Sequence, residues 1–240
     1  KMYLINNITR KYFKNCEGNI VKLDDLTIKL TSRAKHIVDP VGNTKEEGIK
    51  PKIVWKYEMY NEISLHRVID FTYNFSKSWN DEFIGVCYNS VRSIYENTAY
   101  VYDMQIRIQK LIDAEKYEDI NDLINNRIFG TTLKDDFPDI TKIMSVIDTV
   151  TKDFPPFRDT YERLSQYCHP NYSAMMGLYT SLDNYPSATI NRVLGLSESN
   201  LNILLNSLLP CLTIYDLSLD NVDKIYPVMC KIFNERFEKG

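Results

Sequence analysis

Glycine and proline are scarce, eight and nine among 240 residues. So few turn formers leave room for few connections, which excludes a chain of many short strands and favours long helices. Cysteine lacks pattern: Cys16, Cys87, Cys168, Cys211 and Cys230 are scattered, odd in number and without a CxxC pair. A disulfide frame and a thiolate zinc site are therefore excluded, and reduced, mostly buried thiols in a cytoplasmic protein are expected. The three histidines, His36, His66 and His169, show no His-x-x-x-His or Glu-x-x-His spacing, so no metal is expected. The absence of GxxxxGK[ST], GxGxxG and GxSxG argues against autonomous nucleotide hydrolysis and against a nucleophile elbow, and no cofactor is implied. Positive charge is not in excess, the formal net charge being -3. A whole-surface basic field for nucleic acid is thus missing, while a local basic groove, or one assembled across a dimer, stays open. The most apolar run, Leu201 to Leu219, carries Asn202, Asn206, Pro210 and Asp216, and reads as a buried core helix rather than a membrane span. Lys1-Met2-Tyr3-Leu4 leads into a polar stretch, not a signal-peptide core.

What is present is helical periodicity and tyrosine, seventeen of them. Amphipathic rings are expected in the core or at an interface. Leu4, Ile8 and Tyr12 form one possible stripe, and Ile20, Leu23, Leu26 and Leu30 another. Leu26 to Leu30 also alternates at period two, so a short strand is an alternative there. Turn chemistry over 39–52 reads as a surface loop and divides an N-terminal helical appendage, 1–52, from a main domain, 53–240. From about residue 61 a helix runs to Trp79, with Asn80 and Asp81 as caps for the next. That next helix is long, from Phe83 to about Ala114. A short helix follows at 119–126, a loop at 130–138 and a helix at 140–150. Residues 183–196 are loop-like, with room for a small hairpin. Ser197 caps an apolar helix that Pro210 kinks, and a last helix carries Val222, Ile225, Tyr226, Met229, Phe233 and Phe237. The sum is an all-α, multi-helix bundle.

The most specific local signal is Phe157 to Tyr172. Phe157, Tyr161, Leu164 and Cys168 recur at helical spacing and form one apolar stripe. Pro155 and Pro156 sit where a first turn tolerates proline. Pro170 drives His169 out of the α region, so the helix is expected to end at or just before His169. Five residues separate Arg163 from His169. The segment Tyr161-Glu162-Arg163-Leu164-Ser165-Gln166-Tyr167-Cys168-His169-Pro170-Asn171 resembles the histidine-bearing segment of the HEPN superfamily, helical domains of bacterial toxin–antitoxin and other defence proteins. Their signature is an arginine, four to six residues, then a histidine. Arg92-Ser93-Ile94-Tyr95-Glu96 resembles a pattern on an earlier long helix of related proteins. In one respect the chain departs from active members, which commonly carry a polar residue after the arginine; here it is Leu164.

The resemblance implies a HEPN-type bundle, metal-independent RNA cleavage through attack of the 2′-hydroxyl on the adjacent phosphate, and a site completed across a homodimer. His169 would serve as general acid and base. A cation is favoured where helix carbonyls converge. Arg163 would hold the phosphate bidentately, and Asn171 would orient either group. On an ideal helix the two positions point about 120° apart, so the site requires an unwound last turn or a second protomer. Arg92 and Glu96 are supporting candidates, either as a solvated i,i+4 ion pair or with Glu96 fixing the tautomer of His169. Also open are a plain C-cap role for His169 with a turn role for Asn171, a non-catalytic module that binds itself or a protein partner, and, third in order, a small-molecule pocket lined by tyrosines.

Overall fold

A computed structural model of the chain describes residues 4–39, 50–130, 141–183 and 186–237. Among the described residues the architecture is all-α, a multi-helix bundle. The elements are α1 (Asn7–Tyr12), a 3-10 turn (Lys14–Cys16), α2 (Glu17–Arg33), α3 (Lys52–Asn80), α4 (Ile84–Asp113), α5 (Tyr117–Phe129), α6 (Ile143–Asp153), α7 (Pro156–Cys168), α8 (Tyr172–Tyr179), a hairpin of β1 (Thr180–Ser181) and β2 (Thr189–Ile190), and α9 (Glu198–Phe237). The hairpin pairs Thr180 with Ile190 and Ser181 with Thr189, antiparallel.

Helix α4 is the axis of the bundle, touching α3, α5, α6, α7, α8 and α9. Its apolar positions Val91, Ile94, Val101 and Ile108 are all fully buried. Burying one such side chain stabilises the fold by about 1.5–3 kcal/mol relative to leaving it in water. Residues Leu204, Leu205, Leu208 and Leu212 of α9 meet that face in the main core. A second, smaller core joins Met104 and Ile108 of α4 to Ile120 and Ile124 of α5 and Ile225 and Met229 of α9. The described part of residues 1–52 shares the main core through Ile20, Leu23 and Leu30 of α2.

The helical stripe over 20–30 forms and its strand alternative at 26–30 does not, because Leu23, Thr27 and Leu30 face inward together on α2. Several other local expectations give way. The stripe through Tyr12 does not form: Leu4 and Ile5 are buried ahead of α1, and Tyr12 is exposed. Helix α3 starts at Lys52, nine residues before the expected onset. Asn80 and Asp81 do not cap α4. Asn80 instead bonds Leu4 O and the Asn6 N–H, Asp81 ends α3, and Glu82 turns the chain at φ 67°. Phe83, Val86 and Ile63 face solvent. Residues 172–179, for which the sequence pattern predicts no element, form α8. The expected last two helices are one, α9, with Pro210 and Pro227 inside it. By length and composition alone α9 is the one described helix long and apolar enough to cross a membrane; 61% of its most apolar window lies inside the bundle. The loops expected at 39–52 and 130–138 fall largely outside the described residues.

Candidate functional site

Helix α7 is placed by its inward face. Phe157, Tyr161 and Leu164 are buried, and the Phe157 ring lies 4.6 Å from that of Tyr95 on α4. At the other end Tyr167 stacks on Tyr88 of α4, with centroids 4.2 Å apart and planes 21° from parallel. The helix stops where Pro170 requires: Cys168 is its last residue, and His169 is already extended at φ −99°, ψ 150°. The 120° offset of an ideal helix therefore does not govern His169. Arg163 is on the outward side of α7 and exposed, and His169 is exposed just beyond its end. Neither side chain makes a hydrogen bond or ion pair among the described residues.

Asn171 has a different task. Its Oδ1 accepts from the Ala174 N–H at 3.2 Å, so it is the N-cap of α8, and its Nδ2 donates to Gln166 Oε1 at 2.9 Å. Both ends of the amide are used to join α7 to α8. Helix α8 is seated on the first turn of α4, where the Tyr179 hydroxyl occupies the space a Cβ on Gly85 would need, 2.7 Å away.

Arg92 and Glu96 do pack against α7, but on Tyr161 and Cys168 rather than on His169. Arg92 Nη2 lies 3.1 Å from Glu96 Oε1 and donates to the Tyr161 hydroxyl at 3.3 Å. That hydroxyl donates to Glu96 Oε1 at 3.0 Å. Burial pushes the Tyr161 phenol up, with the Arg92 hydrogen bond acting against it and Glu96 adding to it. Burial likewise raises the Cys168 thiol, and adjacent Arg92 partly opposes this. The triad of Arg92, Glu96 and Tyr161 is therefore a half-buried strut between α4 and α7. It fixes the helix that carries Arg163 and His169, and no hydrogen bond links it to either side chain.

The surface beside the motif is apolar. Tyr172 is 76% exposed and Met175 57%, both on α8. No group of three or more metal-ligating side chains occurs among the described residues. His36 and His66 stand near each other, ring centroids 6.1 Å apart, but His66 Nε2 contacts Lys35 O. The acidic cluster Asp135, Asp136 and Asp139 lies outside the described residues.

No family model, curated protein or solved structure matches the chain. The site therefore stands on its own geometry. That geometry keeps Arg163 and His169 available, commits Asn171 to a cap, and gives Arg92 and Glu96 a bracing role. The spacing of Asn171 three residues before Ala174 carried the capping signal in the sequence. The partnership of Tyr161 with Arg92 and Glu96 is long-range and had no local signal.

Proposed function

We propose that the chain is a HEPN-like, metal-independent endoribonuclease of a bacterial defence or stress system, acting in the cytoplasm as a homodimer. The observation that carries this reading is the exposure of Arg163 on the outward side of α7 and of His169 where α7 ends in extended backbone, both without a side-chain hydrogen bond or ion pair among the described residues. An arginine and a histidine whose partners lie within the chain serve structure; a pair without partners can meet a substrate. His169 takes the proton from the ribose 2′-hydroxyl and returns one to the leaving 5′-oxygen. Arg163 holds the phosphate and offsets the charge that builds on its oxygens. A second protomer facing the first across the ends of α7 would add a second cation to a chain whose overall charge is negative. Incubating the pure protein with total RNA in EDTA tests the reading. Cleavage is expected from the native chain and not from His169→Ala; intact RNA in both samples, or equal cleavage in both, overturns it.

A second reading, a non-catalytic module that binds itself or another protein, is favoured by exposed Tyr172 and Met175 beside the motif and by Leu164, buried where active relatives carry a polar residue. It expects a stable complex through α8 with no RNA cleavage.

A further inference from the structure

A cleft of about 370 Å³ opens between α3, α4 and α5, on elements that do not carry Arg163 or His169. Arg127, from the last turn of α5, forms part of its wall. Its side chain is only 2% exposed. One nitrogen, Nη2, donates to Asp103, while Nε and Nη1 have no hydrogen-bond partner among the described residues. The guanidinium rests on the Tyr100 ring, 5.0 Å from its centroid. A buried guanidinium with two idle donors is costly, because each lost its water without a replacement.

The charge count points the same way. Asp103, itself 1% exposed, receives both Arg127 and Arg107. Two guanidiniums share that one carboxylate, so among the described residues the cluster carries one positive charge in excess, with Arg107 half-exposed to water. A further cation, Arg67, stands in the cleft wall, its Nε held by Asn97 Oδ1 at 3.1 Å. No carboxylate lines the cleft among the described residues. The remaining wall is apolar or weakly polar, with Met59, Ile63 and Ile128 beside the Tyr60 ring.

We infer that this cleft binds a small organic monocarboxylate with an apolar body. Its carboxylate completes the charge of the Asp103–Arg107–Arg127 cluster, and its body lies against Ile63, Ile128 and Tyr60. The apolar wall of Met59, Ile63 and Ile128 selects an acid with an apolar body over inorganic phosphate. Because Nε and Nη1 are closed to water as the side chains stand, entry of the ligand turns the guanidinium toward the cleft while Nη2 remains on Asp103. The Arg67 side chain then closes over the carboxylate from outside.

Calorimetric titration of the full chain with 4-phenylbutyrate, its neutral analogue 4-phenylbutanol and inorganic phosphate tests this. Saturable binding of the acid is expected, with the alcohol about tenfold weaker because the charge-assisted hydrogen bond is gone. Arg67→Gln is expected to weaken the acid several-fold. Ile63→Trp, at a position 53% exposed and so tolerant of bulk, is expected to abolish binding by filling the cleft without lowering the unfolding midpoint. The inference fails if the acid does not bind saturably, if the alcohol or phosphate binds as well as the acid, or if Ile63→Trp binds it unchanged.

Discussion

Asp103 and Glu58 show how buried charge is handled at the level of single residues. Asp103 accepts from Arg127, from Arg107 Nε at 2.8 Å and from Thr149 Oγ1 at 2.7 Å, so its carboxylate is surrounded by donors from three helices. Removing one member of such a buried pair strands the other, and Asp103→Ala is expected to cost about 3–5 kcal/mol, read as a fall in the urea midpoint. Glu58 is buried, which pushes its carboxyl up, but hydrogen bonds and charge from Lys35 and Lys50 outweigh burial and hold it below the usual 4.5. A carboxylate depressed in the folded state contributes stability that is fully present above its unfolded value and is lost as pH falls through the folded one. Glu58→Gln is therefore expected to flatten the acid side of the stability–pH curve, with the loss relative to native largest above about pH 4.5 and vanishing in stronger acid. Urea titrations at stepped pH would show it; an unchanged acid limb would contradict the assignment. Neither residue was legible as buried in the sequence, since Asp and Glu at helical spacing read as surface, and their partners lie on other helices.

Helices differed in how openly their sequences declared them. Helix α7 was plain: Phe157, Tyr161 and Leu164 supply the buried stripe, and Pro170 supplies the stop. Helix α9 was not, because the polar positions Asp216, Ser218 and Asp220 resemble a break before Val222. Its polar positions are answered from α2: Arg33 bonds Asp216 at 3.1 Å, Asp220 at 2.7 Å and Asp223 at 2.8 Å, and Lys29 also reaches Asp216. A single helix running through that stretch is stabilised by tertiary charge pairing that no local pattern reveals. The early start of α3 was hidden for the same reason, Glu58 and Asn61 being polar yet inward-facing. Helix α8 has no clear periodic signal because it is short and carries Gly177, and its N-cap, Asn171, reads equally as a turn residue or a site residue in the sequence. Asn171→Ala is expected to cost about 0.5–2 kcal/mol and to speed amide hydrogen exchange in 172–179 more than in α7. If exchange rises equally in both helices, Asn171 is holding more than the start of α8.

Across the whole molecule, a core built on α4 and α9 carries α7, which presents Arg163 on its outward side and His169 just beyond its last residue. The fold class followed from sparse Gly and Pro and from 3.6-residue periodicity. Of the candidate site, the sequence singled out the pair Arg163 and His169 but not the strut of Arg92, Glu96 and Tyr161 that braces α7. Since Arg163 and His169 are exposed, replacing either is expected to change unfolding stability by no more than about 0.5 kcal/mol, so lost activity can be separated from lost fold by thermal denaturation. The most direct test of the ribonuclease reading is a DNA oligonucleotide containing one ribonucleotide, incubated in EDTA with native chain, Arg163→Ala and His169→Ala. Cleavage by the native chain at the ribonucleotide, leaving a 2′,3′-cyclic phosphate, with none by either folded variant, is the predicted result. No cleavage by the native chain, cleavage away from the ribonucleotide, or undiminished cleavage by His169→Ala would contradict it.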